Sequence, residues 1–280
     1  MIFGLALGIG IIIIVSAFLA EYVDSTLGMG FGTILTPFFL LLGFKPLQVV
    51  PAILLSELIT GLLAAFLHHN VRNVDLKPKS FNIFFIAKKT KELGIKEAYK
   101  RGTPPHLKIA LALAVCSIVG TITAVLVSIK IPALWLSLYI GFLVLTMGVM
   151  ILIRLHKKNV FSWKKVFGLG LIASFNKGIS GGGYGPVVTS GQILSGVNEK
   201  NAIAITSLAE GLTCLVGVLT YLLTKQVIDW SLAPYLIIGA VLSVPLAAIT
   251  VKKSQALKLT LFIGITTTLE GLATLIKVLF

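Results

Sequence analysis

Seven stretches of this chain, residues 2–22, 46–70, 107–128, 131–155, 199–223, 230–251 and 257–279, each run for more than twenty residues with few or no charges. A helix of about 20 apolar residues is what crosses the ~30 Å hydrocarbon core of a bilayer. Two further apolar pieces, 32–43 and 185–197, each follow a glycine cluster and reach only ~18–20 Å as helices. A third, 164–179, leads into the second of those clusters. The chain is 56% hydrophobic and 12% charged, whereas soluble domains carry about 25% charged residues. Too few polar side chains remain to clothe a surface facing water. A soluble enzyme, a nucleic-acid-binding domain and a disordered chain are thereby excluded. The expected fold class is all-α: a polytopic membrane protein of about ten membrane segments.

The net charge of +14 bears first on topology. Most of the basic residues fall in three clusters, Arg72 to Lys108, Arg154 to Lys165 and Lys252 to Lys258. Basic loops between apolar spans stay on the cytoplasmic side. That placement leaves Lys45, Lys130, Lys225 and Lys277 outside and Lys177 within the apolar zone, and it puts both termini outside the cell membrane. Within the basic loop 76–106, Phe81 to Ile86 followed by Lys88, Lys89 and Lys91 suits either a solvated loop or a helix on the anionic lipid of the inner leaflet. No basic stretch is interleaved with aromatics, so no nucleic acid is expected as a partner. Cys116 and Cys214 stand singly in apolar stretches and read as small core residues. The first span lacks a basic leader and a small-residue cleavage site, and is expected to stay in the membrane.

Compared with itself, the chain repeats. A shift of 153 residues lays 24–76 on 177–229 without a gap, with eleven identities. They include Gly28/Gly181, Gly30/Gly183, Gly32/Gly185, Thr36/Thr189, Gly43/Gly196, Glu57/Glu210 and Thr60/Thr213. Apolar chains match by chance at Leu and Val; matched Gly, Thr and Glu are much harder to obtain that way. The expected units are 1–155, carrying the basic loop 76–106, and 156–280. Each has a broken helix pair and then three full spans, so the second unit starts from the opposite side of the membrane. Inverted halves with discontinuous helices meeting at the midplane are a common plan for secondary transporters.

The breaks carry the site expectation. Each glycine cluster ends one apolar element and begins another, and a backbone without Cβ lets a ligand approach closely. A helix that starts after such a break aims free N–H groups and its positive dipole end at whatever binds there. Two converging N-termini would hold a small anion. The expected substrate-binding residues are Gly28, Gly30, Gly32, Thr33 and Thr36 in the first half. In the second they are Lys177, Gly181, Gly182, Gly183, Tyr184, Gly185 and Thr189. The competing reading is that the glycines only let helices pack closely, and that the threonines bond back to their own helix.

These residues resemble a known family. Gly28-Met-Gly30-Phe-Gly32-Thr-Ile-Leu-Thr36-Pro37 with Gly43 after it, and Gly181-Gly-Gly183-Tyr-Gly185-Pro-Val-Val, are similar to motifs of the TauE/SafE sulfite exporters, also called the 4-toluene sulfonate uptake permease group. Met29 and Phe31 interrupt the glycine run usual in the family's first half. The resemblance implies two related halves and the movement of sulfite, sulfonates or similar small anions across the cell membrane. No enzyme activity and no cofactor are expected, because the enzyme templates fail. The partners expected are the anionic substrate and inner-leaflet lipid, and the layout admits a homodimer.

An ionisable residue near mid-bilayer is costly and marks function by default. Glu57 and Glu210 are each the twelfth residue of a 25-residue span. They and Asp24 are the proton-coupling candidates, with a structural carboxyl bracing a broken helix as the alternative. Asp24 and Lys177 hold equivalent positions and are expected to form a buried ion pair, or else Lys177 meets the substrate. Glu21 is a weaker candidate near a span end, and His68 and His69 read as interfacial. No Walker A motif is present. Ser180 has no deep histidine to activate it, and no metal is expected because no ligand spacing fits. The rival function is an ion channel, since Gly30-Phe-Gly32 and Gly183-Tyr-Gly185 resemble carbonyl-lined filters.

Overall fold

The computed structural model describes residues 7–77, 103–127, 133–153, 161–224 and 228–279. Most of the basic loop 76–106, with its surface-helix expectation, lies outside them. Among the described residues the regular structure is helical, in ten segments. They are α1 (Leu7–Leu27), α2 (Phe31–Leu41), α3 (Pro46–Asn70), α4 (Pro105–Val127), α5 (Ala133–Ile153), α6 (Trp163–Ser180), α7 (Tyr184–Leu194), α8 (Glu199–Leu223), α9 (Ala233–Lys253) and α10 (Ala256–Leu279). Five of them, over Gly8–Leu27, Gln48–Asn70, Pro105–Val127, Glu199–Leu223 and Ala233–Lys253, are long and apolar enough to cross a membrane.

Local chemistry sets the ends. Pro46 opens α3, where a missing N–H costs nothing, and Gln48 Oε1 accepts the Lys45 N–H at 3.0 Å. Asn198 caps α8 by accepting the Lys200 N–H at 3.2 Å. Helix α1 runs on to Leu27, past the expected end at residue 22. Glu21, Asp24 and Ser25 do not end it because all three are buried; the stop comes at Gly28, in the left-handed region at φ 75°.

The bounds of α2 and α7 differ by 153 residues at both ends, and so do those of α3 and α8. The packing follows the same rule. Helix α1 lies along α9 as α6 lies along α4, and α4 packs on α8 as α9 packs on α3. The pairs α3–α8 and α5–α10 join helices equivalent in the repeat. Small residues permit the closest approaches: a Cβ on Gly148 would collide with Thr268, and one on Gly271 with Leu145.

Polarity is arranged inside out relative to a soluble protein. Ile9, Ile11, Ile12, Val15 and Leu19 of α1 and Val115, Ile118, Val119 and Ile122 of α4 are exposed, while Glu57, Asn176, Lys177 and Glu210 are buried. A continuous apolar exterior of this kind suits lipid and not water.

Candidate functional site

Both breaks are built on glycines that an L side chain would strain. Gly28 and Gly30 lie at φ 75° and 131°, and their equivalents Gly181 and Gly183 at 71° and 72°. Gly43 and Gly196, which end the two short helices, lie at 91° and 86°. Glycine takes this region at no steric cost, so the matched glycines of the repeat mark matched backbone turns.

The two breaks touch. A Cβ on Gly32 would overlap the Gly181 carbonyl, and one on Gly182 would come within 2.9 Å of the Gly32 backbone. Thr36 Oγ1 donates to the Ser180 carbonyl at 3.1 Å, Thr189 Oγ1 to the Gly28 carbonyl at 2.7 Å, and the Gly183 N–H to Thr33 Oγ1 at 3.0 Å. The hydroxyls of Thr36 and Thr189 therefore reach carbonyls across the joint and not the carbonyls of their own helices, and Thr189 also lies 2.9 Å from the Thr206 hydroxyl. Close packing is one role these glycines have. The first-turn N–H groups of Gly32, Thr33, Tyr184 and Gly185 still lack an intrahelical acceptor by position.

Beside the second break lies the charged centre. Lys177, 1% exposed, donates to Glu210 Oε1 at 2.7 Å and pairs with Glu57 Oε2. One carboxylate comes from α3 and the other from α8, so the ammonium joins the two halves. The expected pair with Asp24 does not form: Asp24 Oδ1 accepts the Phe31 N–H at 3.2 Å at the head of α2. Two carboxylates around one ammonium leave a formal charge of −1 in a place where an uncompensated charge is very costly. Glu57 Oε1 has no hydrogen-bond partner, and neither does the side-chain amide of Asn176 on either atom. Asn176 is wholly buried next to Lys177. Buried polar atoms left unpaired call for a reason, and one of these, Glu57 Oε1, belongs to a carboxyl that holds the ammonium.

Three residues of this region, Cys214, His68 and Glu21, are placed otherwise than the sequence suggests. Cys214 is more than core filling, since its Sγ lies 3.8 Å from Glu57 Oε2. His69 is half-buried as an interfacial residue would be, but His68 is fully buried. The His68 Nε2–H donates to the Ser25 carbonyl at 3.1 Å, and its Nδ1 accepts from Asn73 at 2.8 Å. In the other half the Tyr221 hydroxyl donates to the Gly178 carbonyl at 3.1 Å. Since 221 − 68 and 178 − 25 are both 153, the self-comparison would have found this latch had His68 and Tyr221 been read as a pair. The third residue is Glu21, which binds Ser25 and Thr60 below the first break.

Comparison with known proteins bears on what this centre serves. The family model described as Sulfite exporter TauE/SafE matches residues 13–86 and 93–274. The chain is 25% identical over 248 residues to the probable membrane transporter protein YtnM of Bacillus subtilis (strain 168), covering 84% of this chain and 72% of that protein. No solved structure matches it.

Proposed function

Because this chain belongs to the TauE/SafE sulfite exporter family, we propose that it is a secondary transporter that carries small anions, organosulfur anions foremost, across the cell membrane by alternating access coupled to protons. Its two halves, 1–155 and 156–280, have inverted topology in this reading, with ten membrane segments and both termini outside. Repeated helix bounds and the exchange-symmetric packing support it. Cysteine accessibility at residues 85 and 160 tests it: the two must label from the same side.

The observation that carries the proposal is Lys177, a buried ammonium shared by Glu57 and Glu210 from opposite halves. With both carboxyls ionised, the ammonium is held between them and the centre is anionic, so a substrate anion is repelled. A proton on one carboxyl neutralises the centre and weakens its hold on Lys177. The ammonium can then face an anion, with the first-turn N–H groups of α2 and α7 as further donors. Proton and anion thus bind cooperatively. Asp24 keeps α2 in place by capping it.

Purified protein in proteoliposomes decides the matter with a panel of sulfite, sulfonates and small carboxylates. Saturable uptake of at least one of these anions, enhanced by an inward proton gradient, is expected. Transport of cations and of no anion in the panel would end the proposal. Unitary ohmic currents in planar bilayers would make the protein a channel instead.

A further inference from the structure

Four carboxyls, Glu21, Asp24, Glu57 and Glu210, are buried in the interior with Lys177 as the ammonium among them. An ammonium cannot neutralise four carboxylates, and burying the excess charge would cost far more than a fold can supply. Protons must therefore reside on some of these groups. Glu21 is the one whose surroundings are built to take either state.

Glu21 Oε1 accepts the Ser25 hydroxyl at 2.6 Å, and Oε2 accepts the Thr60 hydroxyl at 3.1 Å. The same Thr60 Oγ1 stands 3.1 Å from the Ser56 carbonyl. A hydroxyl has one proton to give and two lone pairs to offer. When Glu21 is ionised, Thr60 donates to it. When Glu21 carries a proton on Oε2, that O–H donates to Thr60 Oγ1, and Thr60 turns its own proton onto the Ser56 carbonyl. No polar group goes unpaired in either state and no heavy atom has to move. The other half lacks this device. The equivalent of Glu21 is Ser174, which bonds back to the Gly170 carbonyl at 2.6 Å, and Thr213 donates to the Ala209 carbonyl at 2.7 Å.

We propose that Glu21 is a proton-binding site separate from the Lys177 centre, with Thr60 as its hydroxyl switch, and that its proton is taken up and released with each transport cycle. The second part rests on the proton-coupled reading above. The charged groups that act on Glu21 are Asp24 on its own helix and Glu57 from α3, and His68 from α3 holds the carbonyl of Ser25, whose hydroxyl Glu21 accepts. Helix α2 brings no carboxylate or amine, and α9 brings none before Lys252 and Lys253, which are exposed at its end. Thr60 follows Glu57 by three residues on α3, so the proton on Glu21 is felt where Lys177 is held.

Infrared difference spectroscopy of the purified full chain between alkaline and acid buffer reads the site without any substrate. Wild type is expected to gain a hydrogen-bonded carboxyl C=O band that Glu21→Gln lacks. Thr60→Val should shift that band toward a free carboxyl, and Thr60→Ser should restore it. In proteoliposomes, Glu21→Gln should keep exchange of a labelled sulfonate within about twofold of wild type and lose pH-driven accumulation by about tenfold or more. An unchanged acid-minus-alkaline spectrum in Glu21→Gln overturns the proton site. Equal pH-driven accumulation by wild type and Glu21→Gln overturns the coupling while the proton-coupled reading stands. If wild type itself accumulates no sulfonate under a pH gradient although it exchanges it, that reading fails and the coupling with it.

Discussion

Gly32 of α2 and Gly181 at the end of α6 meet so closely that a methyl group on the first would overlap the carbonyl oxygen of the second. The two glycine breaks are therefore one joint, shared between the halves. Neither short helix can shift along its axis into the other without that backbone giving way.

Gly32→Ala should damage the fold. The added atom meets backbone and not a flexible side chain, so relief requires one helix to retreat; overpacking of this kind costs about 1–3 kcal/mol. Gly168→Ala on α6 is the control, because a Cβ there meets nothing. Thermal unfolding in detergent is expected to fall for the first and to stay or rise slightly for the second.

Lys177→Met should be among the most damaging single changes. It leaves Glu57 and Glu210 buried with the ammonium gone, a loss of about 3–5 kcal/mol for a broken buried pair. Adding Glu57→Gln to it should recover part of that loss, since the repulsion between the two carboxylates then disappears. A double-mutant cycle on unfolding temperature measures the coupling. Additive losses would mean that the Lys177–Glu57 pair contributes nothing to stability.

How far the sequence led depends on what kind of signal each feature leaves. Helices α3 and α8 were legible to the residue, because Pro46 and Asn198 mark their starts and the apolar runs mark the rest. The break positions were legible from the matched glycines. The end of α1 was not: Glu21, Asp24 and Ser25 look like an exit from lipid, and only tertiary partners show them buried. The expected Asp24–Lys177 pair failed because other partners take both residues. Helices α3 and α8 pack with Gly61 against Gly211 and bring Glu57 and Glu210 to Lys177, while Asp24 holds the Phe31 N–H at the head of α2. The threonines show the same limit, since Thr36 and Thr189 were read as ligand donors or as bonding back to their own helices, and each also reaches a carbonyl across the two breaks.

Asp229, before α9, offers a test of the contact between the halves at one end of the bundle. Partial burial works against its carboxylate. Hydrogen bonds from Ser231, from Gln48 and from the Leu232 backbone outweigh that and hold its pKa below the ordinary value. Gln48 Nε2 reaches it at 2.8 Å from the start of α3. With the folded pKa lowered, this contribution to stability is complete above about pH 4, the usual range of a free aspartate, and is lost as pH falls through the folded value. Asp229→Asn should therefore unfold at a lower temperature than wild type at neutral pH, and the gap should close in strong acid. A gap that is constant with pH would mean that the charge is irrelevant.

Glu57 and Glu210 are where proton coupling at the Lys177 centre should fail. Glu57 places Oε2 on the ammonium and leaves Oε1 without a partner. A proton on Oε1 therefore sacrifices no existing hydrogen bond, whereas one on Glu210 Oε1 would displace the bond from Lys177. A carboxylate repels a neighbouring anion, and a protonated carboxyl can donate to it. Wild-type affinity for a sulfonate, whose own charge does not change with pH, should accordingly rise as pH falls, and anion binding should draw protons in, as linkage requires. Gln keeps the shape and removes the titration. Glu57→Gln is expected to leave a folded protein that exchanges anion with a shallower dependence of affinity on pH than wild type and no longer accumulates it under a pH gradient. Glu210→Gln should weaken accumulation and also loosen Lys177, which would appear as a lower unfolding temperature. If both variants retain pH-driven accumulation, the coupling proton sits on neither residue, and the Lys177 centre serves only to hold the halves together.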